Sequence, residues 1–195
     1  MLLWSKARIL PVLLAAFSAS VVFALLAKDT LVALPTLGTD AGRPLILFAP
    51  LLTCMGLAYC LGSSLPSAES TGTRRVTTLD QVLVVCTGLA AVASSTLIAT
   101  LTAAPSVATA GRNTLFLAGL MLCVRALAGH QFAVITPAAW VIAMTLIGSD
   151  PAGHDRPWTV ILMPPSHTGA LVVAVAVFAT GLALLPVRPQ VADAE

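Results

Sequence analysis

The sequence predicts an all-α protein, a polytopic transmembrane helical bundle of about six spans that forms one domain over residues 1–195. Three observations predict it. Of the 195 residues, 58% are hydrophobic and only 9% charged, with mean hydropathy +0.97, whereas soluble domains carry about 25% charged residues. The apolar residues gather in runs near the roughly 20 residues that a helix needs to cross a hydrocarbon core. The apolar share rests on Ala, Val and Leu, with aromatics at 5%, and lacks the roughly ten-residue alternation and aromatic girdles of a membrane β-barrel.

The first run, Ile9 to Ala27, is entered past Trp4, Lys6 and Arg8 and left at Lys28-Asp29. It is longer than the apolar stretch of a secretory signal and five further runs follow, so it reads as an uncleaved span. The second runs from Pro44 to Leu65 and the third from Leu79 to Ala103. The fourth, Thr114 to Ala128, and the fifth, Phe132 to Gly148, are short and separated by the tight turn Gly129-His130-Gln131. They suit either a spanning hairpin or a re-entrant pair. Pro137 falls early in the fifth, where a missing N–H costs least. The sixth, Gly169 to Leu185, is stopped by Pro186 and Pro189.

With six spans, one side of the membrane holds both termini, the 66–78 loop and the 129–131 turn. It carries Lys6, Arg8, Arg74, Arg75 and Arg188, with Arg125 within snorkelling reach. The other side carries Lys28, Arg43, Arg112 and Arg156. Six bases against four put both termini in the cytoplasm of a bacterial cell. Small residues four apart, at Ala15/Ala19, Ala90/Ser94 and Val177/Gly181, permit close helix approach.

A net charge of +2 gives no case for nucleic acid. Cys54, Cys60, Cys86 and Cys123 sit singly inside apolar runs, without a CxxC pair, and read as helix-packing thiols. The chain contains no GxxxxGK[ST], HExxH or GxSxG sequence. It is therefore expected to be no enzyme, with no catalytic residue, cofactor or metal of its own. No acid falls at the middle of a span, against proton-coupled transport. Arg125 is the costliest intramembrane charge, about 2.5–3.5 kcal/mol at a helix centre, and reads as lying near the cytoplasmic end. Asp150, His154, Asp155 and His167 share the outer loop; a metal site there would need a further ligand.

Two loops offer themselves to other molecules. The 66–78 loop is the long polar stretch on the basic side. It contains Glu69, Gly72, Thr73, Arg74 and Arg75, and suits the docking of a soluble partner. The outer loop from Ser149 to His167 holds Trp158, Pro164 and Pro165 around the apolar run Val160 to Met163. It suits an interfacial segment with Trp158 at headgroup depth.

Six spans with a polar loop after the second resemble the membrane subunit of type-2 ABC exporters. In that family the loop carries an acid shortly before Gly-Thr, as Glu69, Gly72 and Thr73 do here, and docks the ATPase subunit. The family also carries a hydrophobic, partly helical outer segment between spans five and six, the position of Pro157 to Pro165. The chain is similar as well to small actinobacterial permease-like proteins, whose fourth span opens with Gly-Arg-Asn, as Gly111-Arg112-Asn113 does here. The resemblance implies a permease subunit with ATP bound on a separate ATPase. It also implies a homodimer or a pair with a related permease, a docking surface at Glu69, Gly72, Thr73, Arg74 and Arg75, and an outer gate at Trp158, Pro164 and Pro165. Apolar walls suggest a hydrophobic or lipid-like cargo. Two other classes are open: a membrane scaffold or immunity protein that binds a partner in the bilayer, and a membrane enzyme acting on lipid.

Overall fold

A computed structural model of the chain describes residues 10–28, 30–32, 43–63, 75–148 and 159–186. The protein is all-α. Helix α1 spans Leu10–Ala27, α2 Ala49–Gly62, α3 Arg75–Thr102, α4 Ala108–Ala128, α5 His130–Ile147 and α6 Thr168–Leu184. Single 3-10 turns, Leu45–Phe48 and Pro105–Val107, lead into α2 and α4. The one ladder among the described residues pairs Leu31 with Pro44 and Val32 with Arg43, pinning the ends of the α1–α2 connection together.

Five helical stretches are long and apolar enough to cross a membrane: Leu10–Ala27, Leu45–Gly62, Thr77–Thr102, Pro105–Ala128 and His130–Ile147. The sixth helix, α6, is apolar and 17 residues long. Helices such as these are apolar on all sides. Leu14, Leu26, Leu89, Leu101, Phe132, Ile135 and Val172 lie exposed on the outside of the bundle, a surface that suits lipid rather than water.

The bundle is organised around α4. In its span 78% of the residues are buried, against 22–61% in the other four, because α2, α3, α5 and α6 all pack on it. Helix α1 stands at the edge, against α2. Leu57 and Leu61 of α2, Leu117, Met121 and Leu122 of α4 and Val141 of α5 form the fully buried centre. Neighbouring residues give the directions. Gly111 lies against Val92 and Gly88 against Leu115, so α3 and α4 are antiparallel. Gly119 lies against Phe178 and Gly181 against Leu122, so α4 and α6 run the same way. The α4–α6 crossing is tight: a Cβ on Gly119 would stand 2.6 Å from the backbone N and Cα of Phe178. Glycine is required there by space alone.

Three helices reach further than their apolar runs. Helix α3 starts at Arg75 rather than Leu79, so Asp80 lies more than a turn inside the helix, 7% exposed. Helix α5 starts at His130. The fourth run, read from Thr114, begins as a helix at Ala108 after the 3-10 turn Pro105–Val107. Arg112 and Asn113, read as loop residues, are thus helical and buried, at 5% and 1% exposure. Their polar groups find partners inside the protein, so the helix need not stop short of them.

Candidate functional site

The site is built where α4 meets the non-helical segment 159–167 that leads into α6. Thr159, Val160 and Ile161 are buried, although their backbone is in turns, with the Leu162 N–H bonding to Thr159 O at 3.0 Å. Irregular backbone at membrane depth is tolerated only where protein groups satisfy it. Here α4 supplies the donors. Arg112 Nη2 donates to Met163 O at 2.7 Å, and Nη1 donates to Pro164 O at 3.0 Å. Asn113 Nδ2 donates to Ile161 O at 3.0 Å, while its Oδ1 accepts from Arg112 Nε and Nη2, each at 3.4 Å. Two adjacent side chains therefore bind three carbonyls of one segment and brace each other.

The chemistry suits the depth. Arg112 lies seven residues into the span that opens at Pro105, roughly 10 Å along the helix axis. A guanidinium has five N–H donors in a rigid fork and no acceptor. Carbonyl dipoles converging on it disperse the charge without a carboxylate. Pro164 and Pro165 carry no N–H, so the segment has two donors fewer to satisfy. On its other side the segment packs on the end of α5: a Cβ on Gly148 would stand 2.6 Å from Leu162 Cδ1 and 3.0 Å from Thr159 Cγ2. At its end His167 caps α6, its Nδ1 accepting from the Ala170 N–H at 3.1 Å.

At the opposite end of the bundle Arg125, three residues before the end of α4, donates from Nη2 to Leu61 O at 3.1 Å. Leu61 is in the last turn of α2, where carbonyls lack helical partners and the helix end is electronegative. Arg125 is therefore an anchor between α2 and α4, and the His130 ring covers Gly62 beside it. Arg125→Gln is expected to lower stability by about 1–2 kcal/mol, the cost of weakening one charge-assisted bond. Thermal unfolding in detergent measures this.

The residues named from the sequence fall as follows. Glu69, Gly72, Thr73 and Arg74 of the docking loop and Trp158 of the outer gate lie outside the described residues, as do Asp150, His154 and Asp155. Arg75 is the first residue of α3. Pro164 and Pro165 are exposed, and the Pro164 carbonyl is one of those held by Arg112. All four cysteines are free. Among the described residues no group of three or more His, Cys, Asp or Glu side chains could hold a metal ion. The residues that organise the site, Arg112 and Asn113, carried one sequence signal, the Gly-Arg-Asn triplet.

The architecture defines a multi-pass helical protein with several helices able to span a membrane. Comparison with protein-family models, with curated proteins and with solved structures finds no match.

Proposed function

We propose that this chain is the membrane-spanning permease subunit of an ATP-driven exporter in a bacterial cell membrane. It moves a hydrophobic or lipid-like compound and takes its energy from a separate ATPase subunit. The observation that supports this reading is the non-helical segment 159–167 between α5 and α6, buried at Thr159, Val160 and Ile161 and held by Arg112 and Asn113. It has the position and the apolar character of the outer segment that type-2 exporters carry between spans five and six. In this reading the Arg112 end faces outward and segment 159–167 is the outer gate, with Trp158, Pro164 and Pro165. The Arg125 end faces the cytoplasm. The 66–78 loop, which runs into α3 at Arg75, receives the ATPase. A second copy or a related permease completes the pathway.

Purification in mild detergent with identification of every co-purifying chain tests the proposal. A P-loop protein whose ATP hydrolysis depends on this chain is the expected result. A stable partner without ATPase activity would overturn it in favour of a membrane scaffold. Reversing both Arg74 and Arg75 to Glu is expected to weaken the ATPase association roughly tenfold or more. Unchanged association would rule out docking on this loop. The same substitution removes two positive charges from the cytoplasmic side, so membrane orientation is measured in parallel.

A further inference from the structure

Where α1, α2, α3 and α4 converge, beside Gly111, the bundle contains a half-open cavity of about 20 Å³. Ser20, Thr53, Ser94, Ser95 and Thr114 are among the residues that line it, an unusual concentration of hydroxyls inside an otherwise apolar bundle. Four of the five have committed their proton. Ser20 Oγ donates to Ala49 O at 2.7 Å, Ser94 Oγ to Ala91 O at 3.1 Å, Ser95 Oγ to Val92 O at 3.0 Å, and Thr114 Oγ1 to Ala110 O at 2.8 Å. A carbonyl can only accept, so these four hydroxyls can offer a further ligand nothing but lone pairs. Thr53 differs. It is 1% exposed and makes no hydrogen bond among the described residues, so its O–H remains available.

We infer that this cavity is a binding site for one water molecule, which links the α1–α2 pair to α3 and α4. Water fits on three counts. The volume exceeds the roughly 10–15 Å³ that one water requires. Water donates twice and accepts twice, which complements a wall of lone pairs with a single free donor. It also offers the Thr53 hydroxyl, which lines the cavity, a partner. A sodium ion would also seek lone pairs. However, the wall contains no carboxylate, and the next residue after Gly111 is the buried cation Arg112. Both features disfavour a second positive charge. Gly111 lets α3 pack directly on α4 beside the cavity, since a Cβ there would collide with Ser95 Oγ and stand 2.8 Å from Val92 Cα.

The sign of one substitution tests the inference. Thr53→Val keeps the shape and removes the hydroxyl. If water is bound, the variant strips it of a partner, and the apparent Tm in detergent falls by about 2–4 °C; Thr53→Ser stays near wild type. If the cavity is dry, Thr53→Val replaces a cavity-lining hydroxyl with a methyl group, and the Tm holds or rises, which overturns the proposal. Replacing sodium with choline in the buffer is expected to leave the wild-type Tm unchanged; a sodium-dependent rise would assign the site to a cation instead. A density peak within hydrogen-bonding distance of Thr53 Oγ1, in a map that resolves ordered water, supports the assignment directly. An empty cavity in such a map refutes it.

Discussion

Arg112→Met is expected to release segment 159–167 from the bundle and to lower stability by about 2–6 kcal/mol. The figure is the loss of two hydrogen bonds from a charged donor to part-buried carbonyls, about 1–3 kcal/mol each. They are those of Met163 and Pro164. Methionine fills most of the volume and removes the buried charge, so the loss reports the carbonyls rather than a cavity. Thermal unfolding in detergent measures the size of the effect, and protease cutting within 159–167 shows where it acts. Arg112→Lys is expected to recover only part of the loss, since an ammonium is a point donor and cannot span two carbonyls as the fork does. Asn113→Leu orphans the Ile161 carbonyl and takes an acceptor from Arg112, and is expected to cost about 1–3 kcal/mol. A segment equally protected in wild type and Arg112→Met would show that the guanidinium does not hold it.

Gly119→Val is expected to abolish the folded bundle. The first atom of any side chain at this position meets the backbone of Phe178, and backbone cannot turn aside as a flexible side chain can. Gly181, on the facing helix, has the carbonyl oxygen of Gly119 at 2.5 Å from where its own Cβ would stand. Helices α4 and α6 must therefore separate along their whole contact to admit even one carbon. Gly119→Ala is expected to cost about 1–3 kcal/mol, the range for overpacking, and Gly119→Val more than the bundle can absorb. The yield of monodisperse protein on size exclusion in detergent follows this order. A well-folded Gly119→Val protein would mean that α4 and α6 do not meet at this point.

Much of the fold was legible because lipid imposes a coarse requirement. Runs of about 20 apolar residues announce helices whatever their packing, and α1 begins and ends within one residue of its run. Polar residues inside helices were harder. Arg112 and Asn113 read as loop residues because a charge usually ends a span. What admits them to α4 is a set of backbone carbonyls about fifty positions later. A carbonyl belongs to every residue and leaves no mark in a sequence. Arg125 was easier to read, because its position close to the end of a run already suggests an anchor. Small-residue spacing was only partly informative. Val177 and Gly181 lie on the α4 side of α6, with Gly181 against Gly119, whereas Ala15, Ala19 and Ala90 face outward. Spacing places residues on one helix face without saying what that face meets.

The central position of α4 has a consequence for biogenesis. Of the five stretches able to span, Pro105–Ala128 is the least hydrophobic, yet it is made before α5, α6 and segment 159–167 exist. When Arg112 leaves the ribosome, the carbonyls of residues 161–164 have not been synthesised, and α6 is still further behind. The translocon must therefore accept an arginine that only a later part of the chain can accommodate. A chain truncated before residue 159 would contain α2, α3 and α5 but none of the carbonyls that Arg112 binds, so the partners of this charge come from the last quarter of the polypeptide.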